Sequence, residues 1–105
     1  MGTHMAQLLV LYNSPANPAA FDRYYRSTHI PLAKRMPGLR SYSVSHGPVQ
    51  ALVGTAPHLV AVLDFDSMSD LTAALNSPEG QAAAADVPNF ASSGATLLIY
   101  DSKAV

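Results

Sequence analysis

Three short segments of the chain are apolar at nearly every position, and this pattern restricts the possible folds more than any other feature of the sequence. They are residues 8–12 (Leu-Leu-Val-Leu-Tyr), 59–63 (Leu-Val-Ala-Val-Leu) and 97–100 (Leu-Leu-Ile-Tyr). A strand that faces solvent on one side alternates apolar and polar residues. These segments do not alternate, so we expect a sheet that is covered on both faces.

The first predicted helix follows the first of these segments. Asn17 followed by Pro18 combines a capping side chain with a residue suited to the first helical turn, so a helix is predicted over residues 18–36, before a Pro-Gly pair. Pro31 removes a backbone donor inside this helix and crowds the preceding turn. We therefore expect a kink or a restart near residues 28–30.

A second helical region is predicted in the carboxy-terminal half. Residues 67–70 (Ser-Met-Ser-Asp) have the form of a capping box, which predicts a helix that extends to residue 75. A serine and a proline at residues 77 and 78 start a second piece that runs to about residue 86, and residues 87–90 are expected to be a connection. The segments with the properties of strands are residues 7–12, 39–49, 58–65 and 95–100.

The resulting order of elements is β-α-β-β-α-β, which is typical of the ferredoxin-like α+β fold. In this fold two helical segments cover one face of a four-stranded antiparallel sheet. With 105 residues the chain is one domain, and no residues remain to cover the second apolar face. Exposing that face would leave an unusually large apolar patch. We therefore expect a homodimer in which two sheet faces enclose a dimeric α+β barrel.

The amino terminus and the composition limit the partners that we expect. Residues 1–4 read as a vector-derived remnant, because His-Met is encoded by a common cloning site, so the single domain is expected over residues 5–105. The net charge of -1 gives no general attraction to nucleic acid or to anionic membranes. No apolar segment approaches the roughly 20 residues of a membrane helix. We expect a cytoplasmic protein with no nucleic-acid or membrane partner.

Residues 21–32 contain the highest density of side chains with chemical potential. His29 lies one helical turn after Tyr25 on the face that should be buried, and a histidine pKa near neutrality suits a general acid or base at a pocket mouth. The alternative is that His29 satisfies backbone carbonyls left free at the kink. No cysteine is present and no histidine pair has a local metal-binding spacing, so no metal site is expected.

The other charged residues fit structural roles. Asp22 and Arg26 are four residues apart and predict an ion pair that stabilises the helix. Asp64 and Asp66 close the third strand, where acids are usually solvated or cap the next helix. Asp86 is interpreted as a turn-forming acid, because it comes directly before the expected connection.

The pattern Phe-Asp-x-Tyr-Tyr-x-x-x-His-x-Pro-Leu at residues 21–32, followed by Met-Pro-Gly-Leu at 36–39, resembles the EthD family of the dimeric α+β barrel superfamily. The resemblance continues in Ser-Pro-Glu-Gly at 77–80 and Asp-x-x-Asn-Phe at 86–90. It implies a ferredoxin-like fold, a homodimer formed through the sheets and an apolar cleft between sheet and helices. The family is named after an ether-degradation gene cluster. Related barrels include cyclases, isomerases and monooxygenases, so the resemblance implies the fold better than the reaction.

The resemblance places the motif histidine at His29, with Tyr25 beside it. It implies a small enzyme that isomerises, cyclises or oxygenates a small apolar or aromatic metabolite without a cofactor, with His29 as acid or base and Tyr25 as an orienting residue. One alternative is a non-catalytic carrier or accessory protein of a degradation or biosynthesis pathway that uses the same cleft, and another is a haem-dependent member. The residues expected to bind substrate are Tyr12, Phe21, Tyr24, Val62, Phe65, Phe90 and Leu98.

Overall fold

A computed structural model describes residues 4–105 and confirms the ferredoxin-like α+β fold, with one four-stranded antiparallel sheet in the order β2-β3-β1-β4. The strands are β1 (His4–Tyr12), β2 (Ser41–Val44), β3 (Leu59–Phe65) and β4 (Ala95–Lys103). The α-helices are α1 (Pro18–Tyr24), α2 (Ile30–Ala33), α3 (Met68–Asn76) and α4 (Pro78–Phe90), and a π-helical turn (Tyr25–His29) joins α1 to α2. Of the remnant predicted at residues 1–4, His4 belongs to β1 and the rest lies outside the described residues.

The predicted helix starts are confirmed by their capping hydrogen bonds. In each case a side-chain oxygen accepts from the backbone N–H three residues later, at 3.0–3.1 Å. The capping residues are Asn17 for α1, Ser67 for α3 and Ser77 for α4. Each cap satisfies an amide that has no partner within its helix and stabilises the fold by about 1 kcal/mol.

The distortion expected near Pro31 is a widened turn. Pro31 has no N–H and its ring would clash with the carbonyl four residues earlier. The chain accommodates it in the π-helical turn, where the Ile30 N–H bonds to the Tyr25 carbonyl five residues back. Helix α2 ends at Ala33, three residues before the predicted end at residue 36. Hydrogen-bonded turns continue the chain from Ala33 to residue 36.

The predicted boundaries of the second strand and of α4 are also wrong. The second strand, predicted over residues 39–49, is confined to β2, because Gly47 has a φ of 77° and Pro48 has no N–H to continue the ladder. Helix α4 does not end at residue 86 but continues through Pro88 to Phe90. The carbonyl that Pro88 leaves without a helical partner belongs to Ala84, which lies on the exposed side of the helix where water can reach it.

The helices cover one face of the sheet, and their buried side chains pack with the alternate residues of β1 and β3 that point toward them. The strand residues of this core are Ala6, Leu8, Val10, Tyr12, Ala61, Leu63 and Phe65, and the helix residues include Phe21, Tyr25, Met36, Leu71 and Phe90. Within residues 4–105 no helix is long and apolar enough to cross a membrane.

The other face of the sheet, here called the open face, has no helix over it within the described residues. Cross-strand pairs place Leu9, Val62 and Leu98 side by side at its centre, because directly opposed residues share a face. A row of polar side chains crosses the same face, with the Tyr100 hydroxyl donating to Gln7 at 2.7 Å and the Gln7 amide donating to Asp64 at 2.8 Å. Apolar side chains thus lie on both faces of the sheet, as the strand sequences predict.

Candidate functional site

A buried histidine–carboxylate pair lies where the π-helical turn packs against α4. His29 Nδ1 is 2.9 Å from Asp86 Oδ2, and these side chains are only 6% and 7% exposed. Asp86 Oδ1 also accepts hydrogen bonds from the Tyr24 hydroxyl at 2.6 Å and from the Asn89 amide at 3.1 Å. Asp86 is therefore not the turn-forming acid that we expected. His29 bonds to this carboxylate and not to free backbone carbonyls.

The protonation states of the pair follow from these contacts. Burial lowers the pKa of His29 below its ordinary value of 6.5, and the hydrogen bond and charge of Asp86 oppose this only in part. Burial alone would raise the pKa of Asp86, but the hydrogen bonds from Tyr24, His29 and Asn89 outweigh it and hold that pKa below 3.8. At neutral pH Asp86 is an anion and His29 a neutral imidazole. Its Nδ1 carries the proton that Asp86 accepts, which leaves Nε2 as a free base.

The Nε2 atom of His29 reaches accessible space. It has no hydrogen-bond partner within residues 4–105, whereas every fully buried side-chain nitrogen or oxygen in this part of the chain has one. Nε2 is therefore not fully buried. The His29 ring borders a cavity of about 40 Å³ between the sheet and the helices.

This cavity, here called the inner cavity, is almost entirely apolar. Its lining from the sheet includes Leu8, Val10, Tyr12, Ala61 and Leu63, and its lining from the helices includes Tyr25, Ala33, Met36, Gly80, Ala83 and Val87. Leu97 on the edge strand and Ala84 on α4 also line it and are exposed, so the mouth lies between these two elements. Within residues 4–105 no group of three or more candidate side chains is arranged to hold a metal ion.

Tyr25 supports His29 from the side. The two rings stack with centroids 5.4 Å apart at 27°, and the Tyr25 hydroxyl lies 2.6 Å from that of Tyr42. Burial, reinforced by the neighbouring Tyr42, raises the pKa of Tyr25 far above its ordinary value. Tyr25 therefore stays protonated, and its ring packs against one side of the imidazole.

Four of the residues expected to bind substrate lie on the same side of the sheet as the histidine, and Phe90 contacts its ring directly. Tyr12 lines the inner cavity. Phe21, Tyr24 and Phe90 form an aromatic cluster beside the inner cavity. The Phe90 ring contacts Tyr12, Phe21 and Tyr24, and its centroid lies 4.7 Å from that of His29. The cluster holds the imidazole in place, while Tyr12 faces the space in which a ligand would lie.

The other three residues expected to bind substrate lie elsewhere. Phe65 is fully buried in the core and does not line the inner cavity. Val62 and Leu98 lie on the open face of the sheet, on the side opposite to His29. The sequences of β3 and β4 do not indicate which residues face the helices, because the even-numbered and the odd-numbered residues of these strands are both apolar.

Two residues of the site were not recognised in the sequence as functional. The sequence predicts that helix α4 ends at Asp86 and that this residue forms a turn, whereas Asp86 lies inside the helix. The signal that identifies it is the spacing of Asp86 and Phe90, four residues apart and hence on one face of a continuing helix. Tyr42 is the large apolar residue between two serines of β2, which predicts that it points toward the core.

Comparison with known sequences identifies close relatives of the chain. The model of the EthD domain family matches residues 13–94. An uncharacterized 11.0 kDa protein from the thcB-thcC intergenic region of Rhodococcus erythropolis is 43% identical over 103 residues, which cover 96% of this chain and 98% of that protein.

Solved structures agree with this relationship. An EthD family protein from Bacillus halodurans is 32% identical with a TM-score of 0.83, over 91% of this chain and 96% of that protein. Two more distant structures share the fold: SnoaB, a cofactor-independent oxygenase from Streptomyces nogalater (13% identity, TM-score 0.64, 99% and 97% covered), and a dimeric ferredoxin-like protein from Thermobifida fusca (16%, 0.66, 96% and 92%). Because the family model matches most of the chain and the relatives cover nearly all of it, the chain belongs to the EthD family.

Proposed function

We propose that the chain is a small cofactor-independent enzyme that moves a proton on an apolar or aromatic metabolite, with His29 as the acid or base. The observation that carries this proposal is the buried His29–Asp86 pair, in which Nε2 of His29 has no hydrogen-bond partner within the described residues and the residue lines an apolar cavity. Isomerisation, cyclisation and oxygenation of an activated substrate can all begin with such a proton transfer. The shared fold with a cofactor-independent oxygenase is consistent with this class of chemistry.

Each neighbour of His29 has a defined part in the proposed proton transfer. Asp86 accepts from Nδ1 and so fixes the tautomer in which Nε2 is the base. When Nε2 takes a proton from a carbon acid, the Asp86 anion stabilises the imidazolium that forms. The apolar lining strengthens this attraction, because charges interact more strongly away from water. Tyr25 keeps the ring in one orientation.

The size of the inner cavity requires that it enlarge for a ring-sized ligand. Its volume of about 40 Å³ is well below the roughly 150 Å³ of a cavity that holds benzene. The wall beside the mouth consists of the small residues Ala83, Ala84 and Val87 on α4, next to the exposed Leu97 of the edge strand. A change in the rotamer of the exposed Leu97 side chain is the least costly way to widen the mouth, because an outward movement of α4 would break the Asp86–His29 hydrogen bond.

Hydrogen exchange on a simple carbon acid tests the proposal without knowledge of the natural substrate. The probe β-tetralone combines a fused aromatic ring with acidic hydrogens beside a carbonyl. In deuterium oxide the purified protein is expected to accelerate the exchange of these hydrogens for deuterium by about 100-fold over free imidazole at the same concentration. Proton NMR follows the exchange. Tetralin, which has no acidic hydrogen, is expected to compete and slow the reaction. Binding of β-tetralone without accelerated exchange would contradict the enzyme and favour the carrier alternative.

We further propose that the chain forms a homodimer in which two open faces meet. Leu9, Val62 and Leu98 form an apolar centre on this face, and Leu98 is 45% exposed in the isolated chain. Covering such a patch is favourable by about 25 cal/mol per Å² of apolar surface. The description of the structurally similar protein from Thermobifida fusca as dimeric supports a dimeric assembly.

Replacing Leu9 by lysine is expected to convert the dimer to a monomer, because each copy would bring an unpaired charge into the centre of the interface. Light scattering coupled to size-exclusion chromatography measures the mass directly. The control is Val53→Lys, which introduces the same charge at a loop residue that is already 95% exposed. A wild-type chain that is monomeric at high concentration, or a dimer that survives Leu9→Lys, would contradict the proposed interface.

A further inference from the structure

A second and larger cavity lies outside the core. It forms a groove of about 380 Å³ between the first helix and the loop that joins β2 to β3, here called the outer groove. Tyr25 is the one residue shared between its lining and that of the inner cavity, so the two are separated by this buried side chain. Unlike the inner cavity, the outer groove has charged residues in its lining and is large enough for a ring.

A second histidine–carboxylate pair forms one wall of the outer groove. His58 Nε2 is 2.8 Å from Asp22 Oδ1, and the His58 ring stands edge-on against Phe21 with centroids 4.9 Å apart. The ion pair predicted between Asp22 and Arg26 is absent within residues 4–105, because the Asp22 carboxylate is turned to His58 instead. One oxygen of the Asp22 carboxylate is thus held by His58 and not by Arg26.

Arg26 is left with no acidic partner within the described residues, although it lines the same groove. A guanidinium has a planar fork of N–H donors that matches the two oxygens of a carboxylate. A second donor comes from Ser45. Its oxygen accepts from the Val60 N–H at 3.0 Å, so its own hydroxyl proton is free to be donated.

The rest of the lining is apolar. Leu59 and Pro48 face the groove alongside the polar residues. The groove therefore offers a charged donor and a hydroxyl beside a surface suited to a hydrocarbon body. We propose that the outer groove is a binding site for a small organic carboxylate, with Arg26 paired to the carboxylate and the apolar body packed on Leu59 and Pro48. This proposal does not rest on the chemistry proposed at His29.

Benzoate is a suitable probe, and benzamide is its neutral counterpart of nearly the same shape. In nitrogen-15 NMR spectra of the whole protein, benzoate is expected to cause saturable shifts at Ser45, Gly47 and His58 without shifting His29, and benzamide is expected to cause none. The variant Arg26→Gln is expected to weaken benzoate binding by about 10-fold or more. The matched control Arg23→Gln removes the same charge from an exposed residue of the same helix that does not line the groove, and is expected to leave the affinity unchanged.

The possible outcomes separate the proposal from its competitors. Absence of saturable shifts, or equal binding of benzamide, would overturn recognition of a carboxylate. Equal losses in Arg23→Gln and Arg26→Gln would show a general effect of surface charge and overturn the site. Displacement of benzoate by an equal concentration of inorganic phosphate would overturn its assignment to an organic ligand. Arg26 is exposed, so a thermal unfolding curve of Arg26→Gln is expected to match that of the wild type and to exclude unfolding as the cause.

Discussion

Replacing His29 by glutamine is expected to abolish the accelerated exchange of β-tetralone, a loss of about 100-fold relative to the wild type. Glutamine is similar in length and its amide can still donate to Asp86, but it takes no proton at neutral pH. The exchange rate from proton NMR is the measurement, and β-tetralone binding followed in the same samples shows that the cavity is retained. Exchange at the wild-type rate in this variant would contradict a catalytic His29.

Asp86→Asn is the companion variant that separates positioning from packing. Asparagine keeps the shape but removes the negative charge, and its neutral amide oxygen is a weaker acceptor for Nδ1–H, so the pKa of His29 falls further below 6.5. His29 then stays a neutral base to lower pH. In the pH profile of the exchange rate, the loss of rate on acidification is expected to occur at lower pH than in the wild type. The maximal rate at higher pH is expected to fall by about 10-fold, because the imidazolium loses its counter-charge. A lower maximal rate with the loss on acidification at an unchanged pH would indicate that Asp86 acts through packing alone.

Replacing Gly80 by alanine is expected to destabilise the fold by about 3 kcal/mol or more. Helix propensity alone would favour alanine by about 1 kcal/mol. At this position, however, a β-carbon would lie 1.9 Å from the Ala74 carbonyl oxygen and 2.9 Å from the Leu75 Cα. These are backbone atoms of the preceding helix and have no rotamer to escape into, so α3 and α4 have to separate. The free energy of unfolding in urea is the measurement.

The neighbouring variant Glu79→Ala provides the control for Gly80→Ala. Glu79 lies in the same first turn of α4 but is exposed, so its replacement is expected to change the free energy of unfolding by less than about 0.5 kcal/mol. A Gly80→Ala variant as stable as this control would show that α3 and α4 are not in close contact.

The order of elements could be predicted from the sequence because its signals are local. The oxygens of Asn17, Ser67 and Ser77 cap helices wherever a free N–H follows, and uninterrupted apolar runs leave few choices besides buried strands. The sequence does not predict the end of α4 correctly, because Pro88 indicates only the local free-energy cost of a proline inside a helix. That cost is outweighed by burial of Phe90 in the aromatic cluster, which depends on residues far away in the chain.

The candidate site was predictable only in part for the same reason. His29 stands out by its position on an apolar helical face, but its partner Asp86 follows it by 57 residues and becomes recognisable only when α4 packs beside the π-helical turn. The separation of Val62 and Leu98 from the cavity likewise depends on strand register. A one-residue change of register would move every side chain of a strand to the opposite face of the sheet. In strands whose even- and odd-numbered residues are both apolar, the residue types alone do not determine the register.

The π-helical turn before Pro31 has a consequence for the rotational phase of the first helix. Phe21, Tyr25, His29 and Ala33 are all buried and recur every four residues. In a regular α-helix a four-residue repeat drifts around the axis by roughly 40° at each step. The wider turn rotates the chain back against this drift, so that Ala33 returns to the core side. The length of this segment, more than the identity of its exposed residues, keeps His29 and Ala33 on the same side of the helix. An insertion or deletion there would turn one half of the helix away from the sheet.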